Sequence, residues 1–221
     1  VDFLVMELVP GGTLADRVLA GPLGLEEVYR LGAAVADALE DAHRLGFLHR
    51  DLKPANVVLT AAGAPKILDF GLARLLSGAQ SVAGLTQTGM ILGSLPYMAP
   101  EQLLGEADDK RTDIYALGVL LYEISTGRRP FRRDRPEALM FEILNSASPP
   151  VRSLRPEAPL EFERLVDWCM RKDAALRPAT AGSVSDALRR LADPSGNARA
   201  TEPAPDVIRS LVVLPLANVS K

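Results

Sequence analysis

The sequence predicts an α+β fold that is mostly helical and carries a small β-hairpin. Three observations predict it. Apolar residues recur at spacings of three and four over residues 25–45, the mark of a long amphipathic helix. Two short β-prone pieces, "NVVL" and "KIL", flank the turn-rich "TAAGAP", which reads as a hairpin. Further helical patterns at about 112–126, 136–145, 160–171 and 180–192 fill the second half. No internal repeat is apparent.

Taken in order, residues 1–9 ("VDFLVMELV") form an apolar run that reads as a buried strand. "PGG" at 10–12 breaks it. Thr13 then stands at the N-cap of a short helix, "LADRVLA", where its hydroxyl can satisfy a free backbone N–H. In the long helix Leu25, Val28, Leu31, Val35, Ala38, Leu39, Ala42 and Leu45 line one face, and Gly46 ends it. Two dense clusters of polar groups sit at the two ends of the hairpin. "HRDLKPAN" (49–56) precedes its first strand and "DFG" (69–71) follows its second, so both lie on loops held by a rigid base. Residues 72–98 are rich in Ser, Thr, Gly and Gln and read as a long surface loop. Residues 193–206 have linker composition, and 207–221 return to a strand-like "SLVVLPL". The domain division is therefore 1–192, a linker over 193–206, and the start of a second domain over 207–221.

The 221 residues suffice for a sizeable core. A net charge of -3 argues against a nucleic-acid partner, which favours a basic face. No apolar run reaches the roughly 18–20 residues of a membrane helix, and no signal peptide is visible. One cysteine, Cys169, excludes an intrachain disulfide and fits a reducing compartment. A cytoplasmic location is expected, with a tether beyond residue 221 left open. The chain opens on Val1 within an apolar run and looks cut from something longer.

The chemistry sits in the two clusters. Asp51 is a candidate general base for a hydroxyl nucleophile, and Lys53 can offset charge on a phosphoryl group in transfer. Asn56 offers a neutral oxygen and Asp69 a charged one, a set that suits Mg²⁺ together with substrate phosphates. Taken singly each has a plainer reading. Asp51 could cap a turn, Lys53 could be a solvated lysine, Asp69 could be a turn residue before Gly71, and Asn56 could form an Asx-turn. His49 and His43 read as packed structural histidines, and Cys169 as a buried inert thiol.

"HRDLKPAN", "DFG" and "APE" at 99–101, in this order and spacing, resemble the large lobe of protein kinases over about Val1 to Ala192. The Lys of "DLKPAN" resembles the serine/threonine type, and "LTQTG…GSLPYMAPEQ" is similar to bacterial members. The resemblance implies ATP and Mg²⁺ as cofactors and protein substrates as partners. It makes Asp51 the catalytic base, Lys53 a phosphate contact, and Asn56 and Asp69 the Mg²⁺ ligands. It puts Met6 beside the adenine, the backbone of Glu7 and Val9 on the adenine edge, Val58 in the same pocket, and Thr13 near the ribose. Ser94 stands where this class has Thr in the segment that receives the substrate residue. Glu101 would pair with Arg177, Asp113 would bond to the catalytic-loop backbone, and His49 and Phe70 would stack. Thr86 and Thr88 are candidate autophosphorylation sites whose phosphate would pair with Arg50.

Three expectations complete the reading. No glycine-rich phosphate loop, strand lysine or partner glutamate of the small lobe occurs in these residues, so the piece alone is predicted inactive and prone to expose apolar surface. The tail "IRSLVVLPLANVSK" is similar to the start of a TolB-like domain. The competing readings are a small-molecule phosphotransferase, which would lack "APE", and a pseudokinase that binds partners without catalysis.

Overall fold

The computed structural model describes residues 9–70 and 93–193. Val1 to Leu8, including Met6 and Glu7, lie outside that range, as do Gly71, Thr86, Thr88, most of the linker and the whole tail.

A three-stranded antiparallel sheet comes first. β1 (Gly12–Thr13) pairs with β2 (Val57–Leu59), which pairs with β3 (Pro65–Ile67). The β2–β3 hairpin is the one the sequence predicts. Gly12, the last residue of "PGG", joins β1, while the apolar run before it lies, except for Val9, outside the described residues. Gly12 lies opposite Leu59 and Thr13 opposite Val58. Gly11 makes this approach possible: at φ 151 a Cβ would lie 2.0 Å from the Leu59 carbonyl oxygen, so only glycine fits.

α1 (Leu14–Leu19) starts at Thr13, whose hydroxyl accepts from the Asp16 N–H while the Asp16 carboxylate accepts from the Thr13 N–H. This reciprocal capping box fixes the helix start. α2 (Leu25–Arg44) follows. Val28, Leu31, Val35 and Leu39 are fully buried along it, each worth roughly 1.5–3 kcal/mol of burial. Leu45, placed by periodicity on that face, is instead the C-cap and is 66% exposed. Gly46 turns left-handed at φ 80, and the Gly46 and Phe47 N–H groups donate to His43 O and Ala42 O, which closes the helix end.

The second half is helical: α3 (Pro100–Leu104), α4 (Lys110–Thr126), α5 (Pro136–Asn145), α6 (Val151–Leu154), α7 (Leu160–Cys169) and α8 (Ala181–Ala192). The predicted α4, α5, α7 and α8 lie within two residues of their expected bounds. α3 and α6 are too short to show a period in sequence. Within the expected long loop, Leu95–Tyr97 form a 3₁₀ turn with Leu95 and Pro96 buried, which corrects an irregular reading of that end.

α4 is the axis of the core. Ile114, Tyr115, Leu117, Val119, Leu120, Leu121 and Ile124 show no exposure, so it is buried on all sides. α2 and α7 pack on it, and α8 lies along α2. Gly118 permits the closest approach: a Cβ there would sit 2.7 Å from Cys169 Cβ. Cys169 is fully buried, and burial pushes its thiol up to about 12, so it stays protonated and unreactive.

Candidate active site

The site is built around the buried carboxylate of Asp113, in the first turn of α4. Its Oδ2 accepts the His49 N–H at 2.8 Å and its Oδ1 accepts the Arg50 N–H at 2.7 Å. His43 Nε2, at the end of α2, reaches the same Oδ2 at 2.7 Å. One acid thus ties the end of α2 and the start of α4 to the backbone just before Asp51.

Arg50 needs that restraint. Its φ is 67, a left-handed conformation that costs a non-glycine residue about 1–3 kcal/mol. Its guanidinium holds Asp108 through Nε at 2.6 Å and Nη2 at 3.2 Å. Its carbonyl accepts from Gln102 Nε2 at 3.0 Å.

His49 links the two clusters. Its Nε2–H donates to Leu68 O at 2.9 Å, and its Nδ1 accepts the Asp51 N–H at 3.2 Å. These partners select the neutral tautomer with the proton on Nε2. Burial lowers its pKa against the opposing pull of Asp113, which keeps the ring neutral. Its edge meets Phe70 at 4.7 Å. Leu68 in turn donates its N–H to Asn56 O at 2.8 Å, so the hairpin brings Asn56 and Asp69 to neighbouring chain ends.

The candidate side chains converge in front of this frame. Lys53 Nζ donates to Asp51 Oδ2 and to Ser94 Oγ, both at 2.7 Å. Asn56 Nδ2 donates to Asp51 O at 2.9 Å and to Asp51 Oδ2 at 3.1 Å. Asp51 Oδ2 is therefore doubly occupied, while Oδ1 makes no hydrogen bond among the described residues. Asp51 and Lys53 keep side-chain exposures of 26% and 18%, so both reach solvent. Asp69 sits at φ 63 with a buried Oδ1 that has no partner among the described residues.

Of the nucleotide-site candidates, Val9 is half-buried and Val58 is 5% exposed. The Thr13 hydroxyl donates to Oδ2 of the exposed Asp16 at 2.6 Å, the same oxygen that accepts the Thr13 N–H. The Asp16 carboxyl is held low, chiefly by the Thr13 hydroxyl and then by the Thr13 N–H.

Behind the site, Glu101 and Arg177 form a bidentate pair, at 2.7 Å through Nη1 and 2.8 Å through Nη2. Asp108, Gln102 and the His43–Asp113 link are absent from the sequence reading. Each joins residues 52 to 70 positions apart, and no local pattern marks such pairs.

Residues 2–188 match the model of the protein kinase domain. The chain is 36% identical over 220 residues to a probable serine/threonine-protein kinase of Corynebacterium efficiens, covering 96% of this chain and 33% of that protein. It is 36% identical over 204 residues to the serine/threonine-protein kinase PknL of Mycobacterium tuberculosis, covering 92% of this chain and 50% of the relative. It is 36% identical over 182 residues to the probable serine/threonine-protein kinase PknB of Bifidobacterium longum, covering 82% and 26%. The chain spans between a quarter and a half of the length of these curated relatives. With most of its length matched to the domain model, the chain belongs to the protein kinase family, among the bacterial serine/threonine kinases.

Proposed function

We propose that the full-length protein transfers the γ-phosphoryl group of ATP to serine or threonine hydroxyls of proteins. The observation that carries this reading is the Asp51 carboxylate, held through one oxygen by Lys53 and Asn56 with the other oxygen left to meet a substrate. In the reaction the bond between the γ-phosphorus and the leaving oxygen of ADP breaks. A phosphoester bond to the acceptor oxygen forms, and the hydroxyl proton passes to Asp51. Lys53 offsets negative charge on the group in transfer. In this reading Val58 and Val9 would meet the adenine and Thr13 would face the ribose; Met6 and Glu7, assigned to the adenine by the resemblance, lie outside the described residues.

Mg²⁺ supplies charge neutralisation at the β- and γ-phosphates when bound. The residues fit such an ion. Asn56 uses its amide nitrogen on Asp51 and keeps its carbonyl oxygen, and Asp69 carries a buried oxygen with no partner among the described residues. Mg²⁺ needs only one or two such protein oxygens beside the phosphates. Among the described residues no cluster of three or more His, Cys, Asp or Glu forms a dedicated cage.

Thr86 and Thr88 are the proposed autophosphorylation sites, and Ser94 belongs to the segment that receives the substrate residue. The 221 residues alone hold no glycine-rich loop or strand lysine and are expected to be inactive.

The test is labelling of the full-length protein and a generic acceptor with radiolabelled ATP and Mg²⁺, beside Asp51→Asn. Labelling by the wild type and none by the variant is expected. A silent wild type that still binds ATP would replace this reading with a pseudokinase that acts by binding.

A further inference from the structure

The loop from α4 to α5 reads "RRPFRRDR" over residues 128–135, five arginines against one aspartate. It is firmly anchored, since Pro130 and Phe131 are buried while all five arginines are exposed. Arg129 lies 3.9 Å from Glu123, and Arg133 is paired with Glu142. Among the described residues the guanidinium groups of Arg128, Arg132 and Arg135 have no hydrogen-bond or ion-pair partner. Leaving like charges together costs energy, so such a cluster is poised for an anion.

The loop walls a cleft of about 400 Å³ with Pro96, Phe131 and Leu139 at its base and Arg129, Arg132 and Arg133 around it. Among the described residues Asp134 is the only acid in its lining. Pro96 places the cleft relative to the chemistry. It lies two residues from Ser94, whose hydroxyl shares the Lys53 ammonium with Asp51. Tyr97, in the same turn, donates its hydroxyl to Glu123 at 2.5 Å, and Glu123 is the acid beside Arg129. The turn and the arginine loop are thus one joined surface. An extended peptide advances about 3.3 Å per residue, so side chains two to four positions from an acceptor lie roughly 7–13 Å along the peptide, on the side where Pro96 joins the cleft to the Ser94 turn.

We propose that this arginine cleft selects protein substrates carrying an aspartate or glutamate two to four residues from the phosphorylated hydroxyl. The guanidinium fork matches a carboxylate bidentately, and the concave, apolar-based shape suits a peptide side chain better than a flat anionic surface. This inference rests on the kinase reading above and adds the substrate class.

The test uses the full-length protein and a peptide set with one serine in an alanine background, and a single glutamate moved through about five positions on either side. A glutamate at one of the near positions is expected to raise kcat/KM about tenfold, mostly through KM, with the gain shrinking as salt rises. Arg132→Gln should remove most of that gain. Arg132→Glu should shift the preference to a peptide with lysine at the same position, a reversal that a merely structural arginine would not produce. Phosphorylation of every peptide at equal kcat/KM overturns this inference alone. Labelling of no peptide, not even a generic acceptor, overturns the kinase reading and this inference with it.

Discussion

Replacing Arg177 with methionine tests the energetic account of the core most severely. All five guanidinium N–H groups of Arg177 are used. Nε donates to Arg171 O at 2.7 Å, Nη1 to Glu101 Oε1 at 2.7 Å and Arg111 O at 2.9 Å, and Nη2 to Glu101 Oε2 at 2.8 Å and Lys172 O at 3.0 Å. The guanidinium also lies 5.0 Å from the Tyr115 ring centre. Methionine fills much of the volume but leaves the carboxylate of the buried Glu101 with only the Thr112 hydroxyl, at 2.9 Å, as a side-chain partner among the described residues. Breaking a buried pair this way costs about 3–5 kcal/mol. At roughly 2–4 °C per kcal/mol for a domain of this size, the melting temperature should fall by about 6–20 °C. Arg177→Met with Glu101→Leu should recover part of the loss, because no buried charge remains unpaired. Burial alone would raise the Glu101 pKa, but the Arg177 hydrogen bond and charge outweigh it and hold the carboxyl below its ordinary 4.5. A lowered folded value means the pair stabilises above pH 4.5 and is lost as pH falls through that lower value. The gap between wild type and Arg177→Met should therefore narrow in acid. Urea unfolding at several pH values reads both effects. A variant within about 1 kcal/mol of wild type at neutral pH would refute the reasoning, because it would mean that Glu101 finds other partners.

Three further outcomes are expected. Asp113→Asn puts an amide N–H among the His43, His49 and Arg50 groups that Asp113 now serves; a loss of about 2–4 kcal/mol in urea unfolding is expected, and an unchanged midpoint would count against the hub. Gly118→Ala drives a Cβ to 2.7 Å from Cys169 Cβ and 2.8 Å from Met170 Cγ, so overpacking of about 1–3 kcal/mol should exceed the roughly 1 kcal/mol gain in helix propensity; a more stable variant would refute it. Lys172 is pushed down to about 8 by burial and then by the Arg177 charge. The unfolded chain then binds more protons between pH 8 and 10.5, so stability from this group rises across that window. Lys172→Met should abolish the rise, and equal slopes for both proteins would show that the amine is not desolvated.

Much of this molecule is written locally in its sequence. The period of α2, the turn between β2 and β3, and the buried length of α4 all follow from residues a few positions apart. What escapes is long-range pairing. β1 depends on Leu59 lying opposite Gly12 and on the missing side chain of Gly11, which no window around 10–13 contains. Leu45 keeps the helical period yet falls on the cap, because Gly46 stops the helix one residue too soon to bury it. The clusters around Asp51 and Asp69 were legible because their residues are adjacent in the chain. Asp108 was not, since an acidic pair before a helix reads as a cap, and Asp109 does fill that role by accepting the Arg111 N–H.

Arg50 is a joint at which three parts of the lobe meet. Its N–H answers to α4, its guanidinium to the stretch before α4, and its carbonyl to α3. A residue in a costly conformation is kept there only while its restraints agree. The three contacts therefore converge on one strained residue, and loosening any one is expected to weaken the placement of the neighbouring Asp51. Substitutions at Asp108, Gln102 and Asp113 should consequently fail to add, each removing a share of the same strained geometry. Asp51 is in this sense placed from two sides, directly by Lys53 and Asn56 and at a distance by Asp108, Gln102 and Asp113 acting through Arg50.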